Sequence, residues 1–237
     1  MTGSVAFFDV DETLISGKSM WSFWNHWVVT TTEGPVERDP VELLPDLSRL
    51  TRADANRAYY RLFAGVSADR LGEAGRSWYA EYRSRPDAAV ITTLLELRRH
   101  QRRGDRVVLV SGSFSACLTP VAEDLGADLV LCTRQLTDPE GVLTGEVLRP
   151  VIGEGKAAAV AATLADWAVA PGDCFAYGDH SSDLPMLSAV GHPVVVGGDP
   201  VLVEHARRPG WRVLPAVAGP LDTPTGGGGE RPAVSTL

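Results

Sequence analysis

The spacing of apolar positions divides the chain into regions with different periods. An apolar run at residues 5–10 predicts a buried strand, and residues 18–85 carry apolar and aromatic side chains at helical spacing. From residue 87 onward, short apolar runs alternate with longer stretches of helical period. Strands that alternate with helices are typical of a parallel, doubly wound sheet with right-handed crossovers. The predicted fold class is therefore α/β, with a helical insertion after the first strand.

The same pattern gives the domain boundaries and the order of the remaining elements. The core is predicted to comprise residues 1–17 and 86–218, with a helical domain at 18–85 and a disordered, Gly- and Pro-rich tail at 219–237. Within the helical domain, helices are predicted at 57–63 and 74–82. In the core, helices are predicted at 87–103, 115–125, 154–168 and 183–190, strands at 106–110, 128–132, 173–177, 193–196 and 212–214, and a β-excursion at 135–148.

Composition and charge narrow the classes of partner. The formal net charge of −8 argues against nucleic acid, because phosphate backbones select basic surfaces. No apolar stretch is long enough to cross a bilayer, and the first residues lack the pattern of a signal peptide, so no membrane insertion and a cytoplasmic location are expected. The three cysteines, Cys117, Cys132 and Cys174, are too widely spaced to indicate a zinc site or a disulfide framework. The sequence indicates no particular oligomeric state.

Two aspartates, Asp9 and Asp11, directly follow the first predicted strand in the segment DVDETL. Residues i and i+2 of a strand share a face, so both carboxylates can converge on one site. Unpaired charge beside a core is costly, and a bound Mg²⁺, which prefers carboxylate oxygens, is a common compensation. The alternative is a turn at the end of a strand with solvated acids. The spacing and the position after a strand favour the metal site.

Three further polar segments follow predicted strands or open a predicted helix. Ser111 and Gly112 close one strand, where a hydroxyl and backbone amides can hold phosphate oxygens. Lys156 opens a helix, where free N–H groups favour an anion, and Asp179 and Asp183 follow another strand and could complete a Mg²⁺ site. Taken alone, each segment has a structural alternative. These are an N-cap serine for the first segment, a solvated lysine for the second and a capping acid in a turn for the third. Ligands of such sheets bind beyond the carboxyl ends of the strands, so the segments together predict one site.

With these four segments in this order, the chain resembles the haloacid dehalogenase superfamily of phosphohydrolases, and within it the branch that contains phosphoserine phosphatase. The resemblance covers residues 5–15 and 87–214, and the insertion at 18–85 corresponds to the helical cap of that family. The resemblance implies a Mg²⁺-dependent phosphatase whose substrate is a small phosphorylated metabolite. A phosphotransferase with the same chemistry, or a catalytically weak binding protein on the same scaffold, are the alternative functions.

The resemblance also implies a role for each residue of the motifs. Asp9 would be the nucleophile that forms an aspartyl-phosphate, and Asp11 the general acid and base. Ser111, Gly112 and Lys156 would hold the phosphoryl oxygens. Phosphoryl transfer of this kind depends mainly on positioning and on neutralising charge. The implied Mg²⁺ ligands are Asp9, the backbone carbonyl of Asp11, Asp179 and Asp183.

Several positions depart from the phosphoserine phosphatase pattern. Glu12 replaces the usual serine, and Lys18 stands nine residues after the nucleophile, where those enzymes carry a glutamate that binds the substrate ammonium. Arg57 is a candidate for the arginine that binds the substrate carboxylate, and Ser182 replaces an asparagine. A lysine at position 18 favours an anionic group over an ammonium, so phosphoserine is expected to be a poor substrate.

The segment WSFWNHW places Trp21, Trp24 and Trp27 at helical spacing near the start of the insertion. The favoured interpretation is a stripe of core residues on a cap helix. The alternative is that one indole faces the site and stacks on the substrate. His26 and His180 are expected to be packing or surface residues, with a supporting role possible for His180 because it adjoins Asp179.

Overall fold

The computed structural model describes residues 3–31, 50–208 and 210–221, and the backbone of residues 235–236. In chain order the elements are β1 (Val5–Phe8), α1 (Ser19–Thr31), α2 (Arg52–Arg61), α3 (Ala68–Tyr82), β2 (Ala89–Val90), α4 (Ile91–Arg103), β3 (Arg106–Ser111), α5 (Ser115–Leu125), β4 (Leu129–Cys132), β5 (Gln135–Thr137), β6 (Leu143–Val147), α6 (Glu154–Asp166), β7 (Phe175–Gly178), α7 (Leu184–Ser188), β8 (His192–Val196), α8 (Pro200–Arg207), β9 (Arg212–Leu214), β10 (Ala218–Gly219) and β11 (Ser235–Thr236).

The central sheet is parallel throughout, with the strand order β11-β4-β3-β1-β7-β8-β9. Strand β1 lies in the middle, between β3 and β7, and the chain winds outward from it in both directions. The predicted α/β class with a doubly wound parallel sheet is thus confirmed. Its carboxyl edge brings the ends of β1, β3 and β7 side by side, which is where ligands of such sheets bind.

Side chains of β1 alternate between two apolar clusters, one on each face of the sheet. Ala6 and Phe8 belong to the cluster that also contains the insertion, whereas Val5 and Phe7 pack in the cluster under α6 to α8. All four are fully buried. A strand covered on both faces reads as a continuous apolar run rather than an alternating one, which explains the unbroken sequence VAFF.

The helices of the insertion share a hydrophobic cluster with one face of the sheet. Phe114, from the loop after β3, packs edge-to-face against Phe23 of α1 and Tyr60 of α2, with ring centroids 5.3 and 5.4 Å apart. Trp24 and Trp27 are also buried in this cluster, as the favoured interpretation of the tryptophan stripe holds. Within the described residues, no helix has the length and apolar character needed to cross a bilayer.

Three predicted boundaries differ from the structure, and two of them differ because of pairing with distant segments. The helix predicted from residue 87 begins at Ile91, because Val90 is extended and donates its N–H to the carbonyl of Leu14. The tail predicted to be disordered contains β11, whose residues pair with Leu129 and Val130 at the sheet edge. The helix predicted at 183–190 is limited to α7 after a 3-10 turn at Ser181–Asp183.

Candidate active site

The loop after β1 turns sharply and directs Asp11 toward the first cap helix. The carbonyl of Val10 accepts three N–H groups, from Thr13, Leu14 and Ile15, at 3.3, 2.8 and 3.0 Å. Glu12 adopts a left-handed conformation with φ of 61°, which is uncommon for a residue with a Cβ and costs of order 1–2 kcal/mol. The carboxylate of Asp11 then accepts the backbone N–H of Ser19, the first residue of α1, at 3.0 Å.

Three carboxylates converge at the carboxyl ends of β1 and β7. Oxygens of Asp9, Asp179 and Asp183 lie within 4.8 Å of one another, and the Thr13 hydroxyl bridges two of them, 3.3 Å from Asp9 and 3.0 Å from Asp179. Gly178 makes room for this approach, because a Cβ there would lie 2.7 Å from the Cβ of Asp183. Sequence reasoning expects these acids to meet, and the structure brings them together.

Lys156 lies among these acids and is only 4% exposed. Its ammonium donates to Asp9 at 2.5 Å and to Asp183 at 2.6 Å. The alternative of a solvated lysine is therefore wrong. Helix α6 provides the position, since Lys156 is the third residue of its first turn.

The site holds more carboxylates than ammonium groups, and the pKa values of Asp9, Asp11 and Lys156 are all raised. Burial raises the pKa of Asp9 well above its ordinary value; Lys156 opposes the shift, whereas Asp183 and Asp179 add to it. Burial alone would lower the pKa of Lys156, but the carboxylates of Asp183 and Asp9 outweigh it and raise that pKa. Burial, followed by the charge of Asp9, raises the pKa of Asp11 to about 7. When all three carboxylates are ionised, one ammonium leaves two negative charges uncompensated, which matches one divalent cation.

The loop at the end of β3 is fixed by polar contacts from two sides. Ser111 is buried, and its Oγ accepts the N–H of Ser113 at 3.0 Å, so its own hydroxyl proton remains available to a ligand. Helix α5 has Phe114 at its N-cap without a side-chain hydrogen bond, so the alternative of an N-cap serine in this segment is wrong. The carbonyl of Gly112 accepts from Asn56, Tyr60 and Thr133 at 2.8, 2.9 and 2.9 Å.

Asn56 and Tyr60 belong to α2 of the cap, and sequence reasoning missed both. A Cβ at Gly112 would lie 2.7 Å from Ile152, so the backbone at this position can approach the neighbouring loop only as glycine. The loop that would hold phosphate is thereby packed against both the cap and the core.

A cavity of about 200 Å³ opens above these groups. Lys18 and Ser182, which the sequence predicts as specificity residues, line it, and so does Trp21, the one indole of the stripe that is not buried in the core. Arg57 does not line the cavity; Arg52, one and a half turns earlier on α2, does. The full lining is Asp9, Asp11, Glu12, Lys18, Met20, Trp21, Arg52, Ala55, Asn56, Tyr59, Ser111, Gly112, Ser113, Ile152, Lys156, Asp179, His180, Ser182 and Asp183.

Glu12 and Lys18, two of the departures from the family pattern, contact each other. The Lys18 ammonium lies 3.3 Å from the Glu12 carboxylate, and both side chains are nearly half exposed. Arg52 has no ion-pair partner among the residues that the structure describes, and it contributes to lowering the pKa of His180, which burial lowers most. His180 donates its backbone N–H to Asp183 at 3.2 Å, which helps to hold one of the three clustered carboxylates in place.

Comparison with known proteins identifies the family of the chain. The sequence matches the haloacid dehalogenase-like hydrolase family over residues 6–188. It is 28% identical over 224 residues to a histidinol-phosphatase from Neisseria meningitidis, which covers 89% of this chain and 98% of that protein. A protein from Mycobacterium tuberculosis named as a probable phosphatase is 42% identical over 115 residues, 48% of this chain and only 40% of its own length.

Among solved structures, a substrate-bound phosphoserine phosphatase superposes with a TM-score of 0.65 at 17% identity, covering 92% of this chain and 94% of that one. At this identity the likeness shows a shared fold. The family match extends over most of the chain. The chain belongs to the haloacid dehalogenase-like hydrolases, in their phosphoserine phosphatase-like branch, and is an enzyme of the phosphatase class.

Proposed function

We propose that this protein is a Mg²⁺-dependent phosphomonoesterase that hydrolyses a small phosphorylated metabolite through an aspartyl-phosphate on Asp9. The observation that carries the proposal is the surroundings of Asp9. Its carboxylate lies at the base of the cavity, contacts the ammonium of Lys156, and has Asp179 and Asp183 within metal-binding distance. Such a group can act as a nucleophile once the repulsion with an incoming phosphate is offset.

The residues at the site fit a magnesium ion. All three acids offer the hard oxygen ligands that Mg²⁺ prefers, and the two uncompensated negative charges favour a divalent cation. Asp9, Asp179 and Asp183 would hold the ion, with the Asp11 carbonyl as the further ligand that the family resemblance implies. When bound, the ion would neutralise charge on the phosphoryl oxygens during transfer.

The chain's own residues account for the two half-reactions. A carboxylate oxygen of Asp9 attacks phosphorus, the bond from phosphorus to the ester oxygen breaks, and Asp11 donates its proton to that oxygen. Asp11 then accepts a proton from water as the water oxygen attacks phosphorus, the bond to Asp9 breaks, and inorganic phosphate leaves. The ammonium of Lys156 and the hydroxyl of Ser111 stabilise the phosphoryl oxygens in both steps.

The charged side chains at the mouth of the cavity favour one chemical class of substrate. Glu12 balances Lys18, and Arg52 is the cation of this lining that has no ion-pair partner within the described ranges. Relatives named as histidinol-phosphatase and phosphoserine phosphatase support a small, phosphorylated, amino-acid-like substrate class. Arg52 favours a member of that class whose leaving group carries a carboxylate or another acceptor, and Lys18 remains a proposed specificity residue.

Replacing Asp9 with asparagine tests the proposed nucleophile. An amide cannot form the acyl-phosphate, so turnover of p-nitrophenyl phosphate with Mg²⁺ is expected to fall on the order of 10⁴-fold. Asp166→Asn, the same change at an exposed position at the end of α6, is the control and is expected to retain full activity. Acid quenching of the wild type with ³²P-labelled substrate is expected to trap label on protein, and Asp9→Asn to trap none. Wild-type turnover in Asp9→Asn contradicts the proposal.

A phosphotransferase would use the same acyl-phosphate but pass it to an alcohol. Adding glycerol separates the two activities, because a transferase yields glycerol phosphate in excess over inorganic phosphate.

A double variant tests whether Lys18 selects the substrate. Glu12→Lys combined with Lys18→Glu keeps the ion pair and reverses the positions of its two charges. If Lys18 selects substrates, this double variant changes the ratio of kcat/KM for phosphoserine to that for an anionic ester; an unchanged ratio removes Lys18 from the specificity residues.

A further inference from the structure

A second cavity, separate from the phosphatase site, lies between cap helix α3, core helix α5 and the β5–β6 hairpin. Its volume is about 510 Å³, within the range of small-molecule sites. None of its lining residues lines the first cavity. The lining consists of Ala68, Leu71, Gly72, Arg76, Ser115, Ala116, Thr119, Pro120, Cys132, Arg134, Gln135, Thr137 and Leu143.

The charge of this cavity is opposite to that of the protein as a whole. The two charged side chains of its lining, Arg76 and Arg134, are both cationic, although the chain carries a net charge of −8. Among the residues that the structure describes, neither arginine forms an ion pair or a side-chain hydrogen bond. Arginine presents a planar fork of donors that suits carboxylate, sulfonate and phosphate groups.

A third donor and an apolar wall complete the lining. The side-chain Nε2 of Gln135 is buried and has no hydrogen-bond partner within the described part of the chain. A buried donor without a partner is costly, and a turn of this amide into the cavity would let a ligand oxygen satisfy it. Leu71, Leu143 and Pro120 supply apolar surface in the same cavity. This combination suits a ligand with an anionic head and a short apolar body.

The walls of the cavity are held in place by direct backbone contact. A Cβ on Gly75 of α3 would lie 1.8 Å from the carbonyl oxygen of Ala116 on α5, so the two helices touch where they border the cavity. Thr133, between the lining residues Cys132 and Arg134, donates to the carbonyl of Gly112 at 2.9 Å and so ties the hairpin side to the core. The cavity is therefore formed before any ligand arrives, which lowers the entropic cost of binding.

We propose that this cavity is a binding site for a small organic anion, distinct from the phosphatase site. The head group pairs with Arg76 and Arg134 and accepts from Gln135, and its apolar body packs on the leucines. The proposal is independent of the activity proposed for Asp9.

Titration calorimetry with four probes tests the site. Hexanoate and hexylphosphonate share one apolar body and distinguish a carboxylate from a phosphonate head; hexylammonium reverses the charge, and sulfate lacks the body. Binding of at least one hexyl anion is expected with a Kd on the order of 1 mM or lower. Hexylammonium is expected not to bind, and sulfate to bind at least tenfold more weakly than the hexyl anion.

Variants localise the binding. Arg76→Gln and Arg134→Gln are each expected to weaken it at least tenfold, and their combination to abolish it. Arg102→Gln, the same charge change at an exposed position of α4, and Lys156→Met, which alters the phosphatase site, are both expected to leave it unchanged. If the double variant fails to fold, the two single variants still test whether the arginines bind the anion. The proposal is overturned if neither hexyl anion binds, if binding survives loss of both arginines, or if Lys156→Met abolishes it at a temperature where thermal unfolding shows that this variant is folded.

Discussion

Replacing Lys156 with methionine separates the electrostatic role of the ammonium from the packing of its aliphatic stem. Methionine has similar volume and no charge, so the change removes the contacts with Asp9 at 2.5 Å and Asp183 at 2.6 Å. The lysine side chain is 5% exposed, and those of the acids are 8% and 1% exposed. Both carboxylates would then remain buried without their cation.

The expected cost follows from that burial. Breaking a buried pair by removing one partner costs about 3–5 kcal/mol. For a domain of this size about 1 kcal/mol shifts Tm by 2–4 °C, so the metal-free Tm is expected to fall by roughly 6–20 °C. The only other lysine, Lys18, is the matched control, because it is 46% exposed and pairs with an exposed Glu12. Lys18→Met is expected to cost less than about 1 kcal/mol.

Thermal unfolding with and without Mg²⁺ measures both effects. Three carboxylates without a competing ammonium should bind the cation more strongly, so the rise in Tm caused by Mg²⁺ is expected to be larger in Lys156→Met than in the wild type. Turnover is expected to fall on the order of 10²–10³-fold, as for loss of a charge-stabilising group. If the two lysine variants unfold within about 2 °C of each other without metal, the reasoning about the buried pair is refuted.

Three further predictions concern single contacts. Tyr60→Phe removes one of three donors to the Gly112 carbonyl and is expected to lower the free energy of unfolding by about 1 kcal/mol in urea denaturation, with kcat within about threefold. Gly178→Ala brings a Cβ 2.7 Å from Asp183, so the Mg²⁺ concentration for half-maximal activity is expected to rise about tenfold. Burial lowers the pKa of His100 below 6.5, so the unfolded state binds the proton more readily than the folded state. The free energy of unfolding therefore decreases as the pH falls below 6.5 through the folded pKa. His100→Gln is expected to reduce this dependence of the unfolding free energy on pH between pH 7 and 5.

The acidic edge could be predicted because each of its parts depends on a local signal. Apolar runs identify β1, β3 and β7, and the polar residue that follows each run lies at a carboxyl end. The rule that parallel strands share one ligand-binding edge then brings Asp9, Ser111 and Asp179 together without any knowledge of strand order. The prediction for Lys156 required one further signal, namely its position in the first turn of a helix.

The cap side of the site could not be predicted in the same way. Helix α2 begins at Arg52, not near residue 57, and its first turns read RADAN, which shows no apolar period. Its buried face carries Asn56 because that amide donates to the Gly112 carbonyl, a partner far away in sequence. The available signal was the N-cap, since Thr51 accepts the N–H of Asp54. This N-cap signal would have predicted a helix that begins at Arg52.

The same cap contacts restrict how substrate can enter. Asn56 and Tyr60 bind the carbonyl of the loop that would hold phosphate, and Phe114 of that loop packs among the cap aromatics. Movement of α2 away from the core would break two hydrogen bonds and expose a fully buried ring, at a cost of several kcal/mol. Entry is therefore expected past Lys18 and Trp21 at the mouth. We therefore expect substrate choice to depend on the few side chains at that mouth and not on the cap as a rigid whole.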